Sequence, residues 1–205
     1  SYETARQPDA RVTFAKITTY GIAILTLLVA GLTAITSDLV SLIAPDNYAG
    51  AGTVVPIIAL GVAFQGVYLL TSIGLNITSH TRYYPMATMI SACVGLGSGV
   101  VLMPRYGPTG AAVAFLLSYV TLAGLAGWFA QRHYPVAYEW GRVLRVVAAG
   151  VVSAAAALAL PGMPALAGLL ARGTLTVAVF GALLWVGGFL RPSERALLRK
   201  VLPSR

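Results

Sequence analysis

The polar and small residues of one apolar stretch recur at the spacing of a helix face. Within residues 53–76 they follow one another at intervals of three or four residues: Gly61, Gln65, Tyr68, Ser72 and Asn76. Side chains at that spacing lie on one face of an α-helix. Amide groups offer hydrogen-bond donors and an acceptor, and tyrosine adds an aromatic ring with a hydroxyl. Such a face indicates either a water-accessible pathway for a polar solute or a polar contact with a neighbouring helix.

A second stripe occupies the next apolar stretch, residues 84–103, and begins with Tyr84, Thr88 and Ser91. Polar groups in lipid destabilise a helix unless they find partners, so this face is also expected to point inward. Small residues and hydroxyls equally favour close packing between helices. Both interpretations are open for this stripe, and its three residues join the first set as candidates for the pathway.

No set of residues predicts catalysis or metal binding. The two histidines, His80 and His133, fall between apolar stretches, and the lone Cys93 lies within one. Neither a CxxC pair nor a glycine-rich phosphate loop is present. The net charge of +8 could indicate nucleic acid, but the basic residues sit at the ends of apolar stretches. We therefore predict no enzyme activity, no cofactor, no metal and no nucleic-acid partner.

The elements that position these residues are six long uncharged stretches. The chain is 58% hydrophobic and only 10% charged, whereas soluble domains carry about 25% charged residues. A spanning helix needs about 17–25 apolar residues. The sequence thus predicts an all-α integral membrane protein with a bundle of six transmembrane helices within residues 17–190. The predicted helices cover residues 17–37 (extending to 43), 53–76, 84–103, 108–131, 143–160 and 166–190.

The basic residues are distributed unevenly between the two sides of this bundle. Twelve of the 14 Lys and Arg residues fall on the side that holds both termini, and only Arg105 and Arg172 fall on the other. Because cytoplasmic loops are rich in Lys and Arg, both termini are expected in the cytoplasm. Residues 1–16 then form a cytoplasmic segment, and residues 191–205 a cytoplasmic amphipathic tail. Arg172 is expected either to reach the interface or to line a cavity.

Two stretches combine turn residues with the start of an apolar helix: LIAPDNYAGAGTVVPIIALG, residues 42–61, and LMPRYGPTGAAVAFLLSY, residues 102–119. Both stretches resemble the polysaccharide and O-antigen exporters. The second is similar to that family's pattern of proline, aromatic and glycine, then Gly-Ala-Ala, then Ser-Tyr. The resemblance covers about residues 10–145, and the family belongs to the multidrug/oligosaccharidyl-lipid/polysaccharide exporter superfamily.

The resemblance implies one half of a two-bundle transporter. The chain begins with Ser1 rather than Met, and we expect a fragment or trimmed chain that lacks an N-terminal helical half. The implied substrate is an undecaprenyl-linked oligosaccharide, whose lipid tail stays in the membrane lipid while its sugars cross by alternating access. The implied location is a bacterial or archaeal plasma membrane. Family members often have cationic cavities, and the cationic residues available at the margins here are Arg82, Arg105 and Arg172.

Two other classes are open: an antiporter of the same superfamily, and a membrane enzyme or assembly protein. A drug/cation antiporter of the same superfamily should carry a carboxylate near the membrane midplane, and none is expected in these six helices. A membrane enzyme should show paired acids facing one side. Asp38, Asp46 and Glu139 are instead predicted to be isolated loop residues. A non-catalytic membrane assembly protein is the remaining alternative.

Overall fold

The computed structural model of the chain describes residues 8–43, 50–77, 83–133 and 139–189, all of them helical or connecting turns. Its helices are α1 (Pro8–Ile43), α2 (Ala51–Ile77), α3 (Tyr83–His133), α4 (Trp140–Leu158) and α5 (Ala165–Val186). The ends of α2, α4 and α5 lie within four residues of the predicted ones. The predicted tail, residues 191–205, lies outside the described residues.

Each of these helices is long and apolar enough to cross a membrane. Their outer faces carry large apolar side chains in the open, among them Leu96, Val100 and Val186, which are 73%, 76% and 84% exposed. A soluble protein rarely leaves such large contiguous apolar surfaces in water. The chain is therefore an all-helical, multi-pass membrane protein, as its composition predicts.

The predicted count of six helices is not confirmed, because the third and fourth predicted segments form one element, α3. This 51-residue helix contains Pro104 and Pro108, and only Gly107 between them leaves the helical region, at φ 56° and ψ −132°. Those angles resemble the first central residue of a type II′ turn, a conformation that favours glycine. The break that the sequence places over residues 104–108 is thus confined to a single residue.

The chain reverses direction at Gly107, so the two halves of α3 lie side by side. The Ser118 hydroxyl in the second half donates a hydrogen bond of 2.9 Å to the carbonyl of Ser91 in the first. Nearer the turn, a Cβ atom added to Gly110 would lie only 2.2 Å from the Leu102 carbonyl oxygen. We call this pair of segments the α3 hairpin. Glycine at position 110 permits the close approach of its two backbones.

Helix α1 is the centre of the bundle. It packs against α2 on one flank and against α4 and α5 on the other, while α3 packs against α2. The N-terminal part of α1, the start of α4 and the end of α5 share a buried apolar core. Its residues are Ala23, Val146, Ala149, Phe180 and Phe189.

Helix α1 also corrects the prediction for Asp38. The sequence predicts this residue in a loop after a helix over residues 17–37, but α1 continues to Ile43 and Asp38 is buried within it. Helix α1 begins earlier too, at Pro8 rather than near residue 17. Hydropathy detects only the apolar part of a helix, whereas the backbone hydrogen bonds can continue beyond the membrane.

Candidate functional site

The polar stripe of α2 faces the α3 hairpin. A Cβ atom on Gly61, where the stripe begins, would lie 2.7 Å from the ring of Phe115 in α3, whereas one on Gly66 would lie 2.7 Å from Leu25 in α1. Residues 61 and 66 point in roughly opposite directions on a helix with 3.6 residues per turn. The stripe therefore lies on the side of α2 away from α1.

Burial changes along the stripe. Gln65 and Tyr68 are half-buried, whereas Ser72 is buried and its hydroxyl donates a hydrogen bond of 2.8 Å to the Leu69 carbonyl. Asn76 belongs to α2, but its side chain is outside the described part of the chain. Gln65 and Tyr68 are thus the two members that combine a long polar side chain with partial exposure.

The α3 candidates are divided between the surface and the hairpin interior. Thr88 is exposed, whereas Ser91 is only 3% exposed and its hydroxyl donates to the Thr88 carbonyl at 2.9 Å. The carbonyl of Ser91 also accepts the bond from Ser118 that joins the two halves. These contacts give Ser91 a packing role. Tyr84 is part of α3, and its side chain lies outside the described part.

The three arginines predicted for the cationic margin also differ in their surroundings. Arg105 is exposed close to the turn at Gly107, and Arg82 lies outside the described residues. Arg172 is bound to an acid, because its Nη1 atom lies 3.0 and 2.9 Å from the two carboxylate oxygens of Asp38. The two side chains are only 11% and 10% exposed. Arg172 is therefore held by an ion pair that neither of its predicted roles included.

Further bonds fix the Arg172 guanidinium. Nη1 also donates to the Ser37 hydroxyl at 3.3 Å, and Nη2 donates to the Leu160 carbonyl, just after α4, at 3.4 Å. One side chain of α5 thus binds α1 and the segment that follows α4. The sequence did contain a signal for this pair. Asp38 was predicted just after the first helix and Arg172 near the start of the sixth, so both fall on the same predicted side of the membrane.

A second charged cluster lies where α4 begins and α5 ends. Arg142 forms an ion pair of 2.6 Å with Glu139, and its Nη2 donates to the Phe189 carbonyl. Its guanidinium also lies 4.6 Å from the centre of the Phe189 ring, which contacts Tyr20 of α1 edge to face. Arg145 donates to the Gly187 carbonyl at 3.1 Å. Cations satisfy the last carbonyls of a helix and complement its dipole. Glu139, predicted as a loop acid apart from other acids, thus forms an ion pair with an arginine.

These two clusters mark opposite ends of the α1–α4–α5 unit, which we call the Arg142 end and the Asp38 end. Tyr20, the start of α4 and the end of α5 belong to the first. Asp38, the end of α4 and the start of α5 belong to the second. Helix α5 thus runs opposite to α1 and α4, which agrees with the alternation of sides expected from the basic residues.

The described residues form apolar grooves on the bundle surface. One, of about 790 Å³, runs along the α3 hairpin past Gly95, Gly99, Met103 and Ala111. Another, of about 270 Å³, lies between α1 and α2 beside Leu28, Val55 and Ile58. None of the predicted pathway residues lines either groove. Their lining suits lipid tails or the apolar face of another helix.

The described residues contain no group of three or more His, Cys, Asp or Glu side chains that could hold a metal ion. Comparison with protein-family models, curated proteins and solved structures found no match in any of the three. The function proposed for this chain therefore rests on its own residues and their geometry.

Proposed function

We propose that this chain is part of a flippase that moves lipid-linked oligosaccharides, such as the repeat units of a polysaccharide or O-antigen, across a plasma membrane by alternating access. One observation carries the proposal: the stretch from residue 102 to 119, which resembles the exporter pattern, forms a tight hairpin of apolar helix. Gly107 has a positive φ there and Gly110 permits close backbone contact. The residue types of the pattern thus have a physical purpose in this fold.

The finer architecture belongs to the same proposal. Each half of α3, residues 83–106 and 108–133, is about 36–39 Å long at 1.5 Å per residue, which exceeds the hydrocarbon thickness of about 30 Å. We propose that each half crosses the membrane separately, which gives six crossings with both termini in the cytoplasm. This bundle would pair with a second helical half across a central cavity, as the resemblance implies.

Gln65 and Tyr68 are the side chains that we propose to contact the sugar head group. An amide can donate and accept hydrogen bonds with sugar hydroxyls, and an aromatic ring offers a flat apolar surface to a sugar face. Their partial exposure on the side of α2 away from α1 supports this role. Ser72, Asn76, Tyr84, Thr88 and Ser91 would border the same pathway, with Ser91 serving mainly the hairpin.

One observation favours a second candidate, a drug/cation antiporter of the same superfamily. Asp38 is a buried carboxylate within a helix, and acids within membrane helices often mark ion pathways. Its pairing with Arg172 argues against free cation binding, because the arginine already neutralises the carboxylate. The lipid-linked oligosaccharide is therefore the preferred substrate class.

The proposal is tested by reconstitution of the complete protein, with any N-terminal half, into liposomes containing a fluorescent polyprenyl-linked oligosaccharide. A membrane-impermeant quencher reports how much substrate reaches the outer leaflet. We expect faster exchange between leaflets than in empty liposomes, with no effect on a fluorescent phospholipid of similar charge. Equal rates with and without protein, combined with exchange of an organic cation for protons, would favour the antiporter.

A further inference from the structure

The α1–α4–α5 unit is held together differently at its two ends. At the Arg142 end the helices share an apolar core that includes Val146 and Phe180, which are 0% and 4% exposed. Phe189 joins that core and also packs against the Arg142 guanidinium. Opening this end would separate these large apolar side chains and break the bond between Arg142 and the Phe189 carbonyl.

At the Asp38 end, α1 and α5 meet through smaller residues. Gly168 of α5 faces the Asp38 carboxylate, so that an added Cβ atom would lie 2.8 Å from Oδ1. One position beyond Arg172, a Cβ atom on Gly173 would lie 3.7 Å from Ile35. A turn deeper, the fully buried Thr176 bonds to the Arg172 carbonyl. Glycines and a hydroxyl line this seam, and the Asp38–Arg172 ion pair joins the two helices across it.

We propose that Asp38 and Arg172 form a latch that closes the α1–α5 seam, and that the seam opens at this end while the Arg142 end acts as a hinge. The latch deepens the proposed flippase function, and its role in transport rests on that function. The opening itself does not depend on the substrate.

The chemistry of the pair suits a contact that opens and closes. A buried ion pair gains Coulomb energy but loses hydration, so its net contribution is small. When the seam opens at the end of a helix, water can solvate both charges again, whereas water that entered at the Arg142 end would meet apolar side chains. Two states of similar free energy are what a population shift requires.

Accessibility of a buried cysteine tests the latch in the 205-residue chain in membranes. Cys93, the chain's one cysteine, is replaced by serine, and Thr176→Cys supplies a reporter one turn beneath the pair. We expect Asp38→Asn to increase labelling of this reporter by a water-soluble maleimide about tenfold, since loss of the charge favours the open state. Glu139→Gln makes the same chemical change at the opposite end and should leave the rate unchanged.

Arg172→Lys keeps the positive charge but loses the planar fork, so it should give an intermediate rate. It also serves as the second variant if Asp38→Asn fails to accumulate. Unchanged labelling in a folded Asp38→Asn or Arg172→Lys chain would overturn the latch. An equal increase with Glu139→Gln would indicate general loosening and would overturn it as well.

A crosslink separates a moving latch from a static brace. Ile35→Cys with Gly173→Cys joins the seam beside the pair and leaves Asp38 and Arg172 intact. In the complete transporter, oxidation should abolish flipping and reduction should restore it, whereas undiminished flipping in the oxidised protein would show that the seam need not open. If the uncrosslinked protein flips no lipid-linked sugar, the proposed function fails, and the maleimide rates still decide whether the latch exists.

Discussion

The substitution Gly110→Ala tests whether close backbone contact holds the α3 hairpin together. The added Cβ atom would lie 2.2 Å from the Leu102 carbonyl oxygen, 2.6 Å from its carbonyl carbon and 3.0 Å from the Met103 nitrogen. All three are backbone atoms, so no side-chain rotation can relieve the overlap. Carbon and carbonyl oxygen normally approach to about 3.3 Å, and the two halves must therefore separate by about 1 Å near the turn.

The expected cost follows from that displacement. A gap of 0.5–1 Å forfeits about a quarter to a half of the dispersion energy of each contact, and overpacking typically destabilises a protein by about 1–3 kcal/mol. Gly97→Ala is the matched control, because a Cβ atom there has no neighbour within 4 Å. Both substitutions gain about 1 kcal/mol of helix propensity. Gly110→Ala should thus be less stable than Gly97→Ala by about 1–3 kcal/mol, a factor of about 5 to 150 in the folding equilibrium.

The assay is reversible unfolding of the purified chain in mixed micelles, with increasing SDS and circular dichroism as the measure of helix content. We expect the midpoint for Gly110→Ala to fall at a lower SDS fraction than for the unsubstituted chain, and that for Gly97→Ala at an equal or higher one. Equal midpoints for the two variants would refute the reasoning, because the hairpin would then tolerate a methyl group where its backbones meet.

Three further predictions concern the pathway, the topology and the second charged cluster. Gln65→Leu should impair flipping by the complete protein at an unchanged membrane level. Cysteines at positions 65 and 68 should react with a water-soluble thiol reagent, whereas a cysteine at position 69 should not. Equal reactivity at the three positions would assign the stripe to helix packing. A reporter fused after Arg205 should behave as cytoplasmic and one inserted at Asn47 as external, and the reverse pattern would refute the topology. Arg142→Ala should destabilise the chain by about 3–5 kcal/mol in the same SDS titration, because it breaks a largely buried ion pair with Glu139 and the bond to the Phe189 carbonyl. Arg145→Ala, at an exposed position, should cost less.

The apolar helices were predictable because lipid imposes a simple rule on composition and length. Helix α2 begins and ends within two residues of its predicted bounds, since polar turn residues flank a long uncharged stretch. The α3 hairpin was harder to delimit. Pro104 and Pro108 indicated a loop, but Pro108 opens the second half, where a helix tolerates proline, and only Gly107 leaves the helical conformation.

The partner of Arg172 could not be derived from periodicity. Asp38 and Arg172 are 134 positions apart, and their contact depends on how α1 and α5 are rotated about their axes. Hydropathy says little about that rotation when both helices are apolar on most faces. The directions of the α2 side chains, by contrast, follow from local geometry, and whether Gln65 and Tyr68 meet a substrate stays a prediction.

The distance between the two charged clusters also determines which bilayer thickness suits this bundle. Tyr20 beside Arg142 and Asp38 beside Arg172 are 18 residues apart on α1, a rise of about 27 Å at 1.5 Å per residue. That length matches thin bilayers and falls short of thick, sterol-rich ones, where the difference must be met by membrane thinning or by helix reorientation. In thicker membranes, the hydrocarbon region would extend over the ion pairs at both ends. Acyl-chain length should therefore change the stability of this bundle through its charged ends before it disturbs its apolar middle.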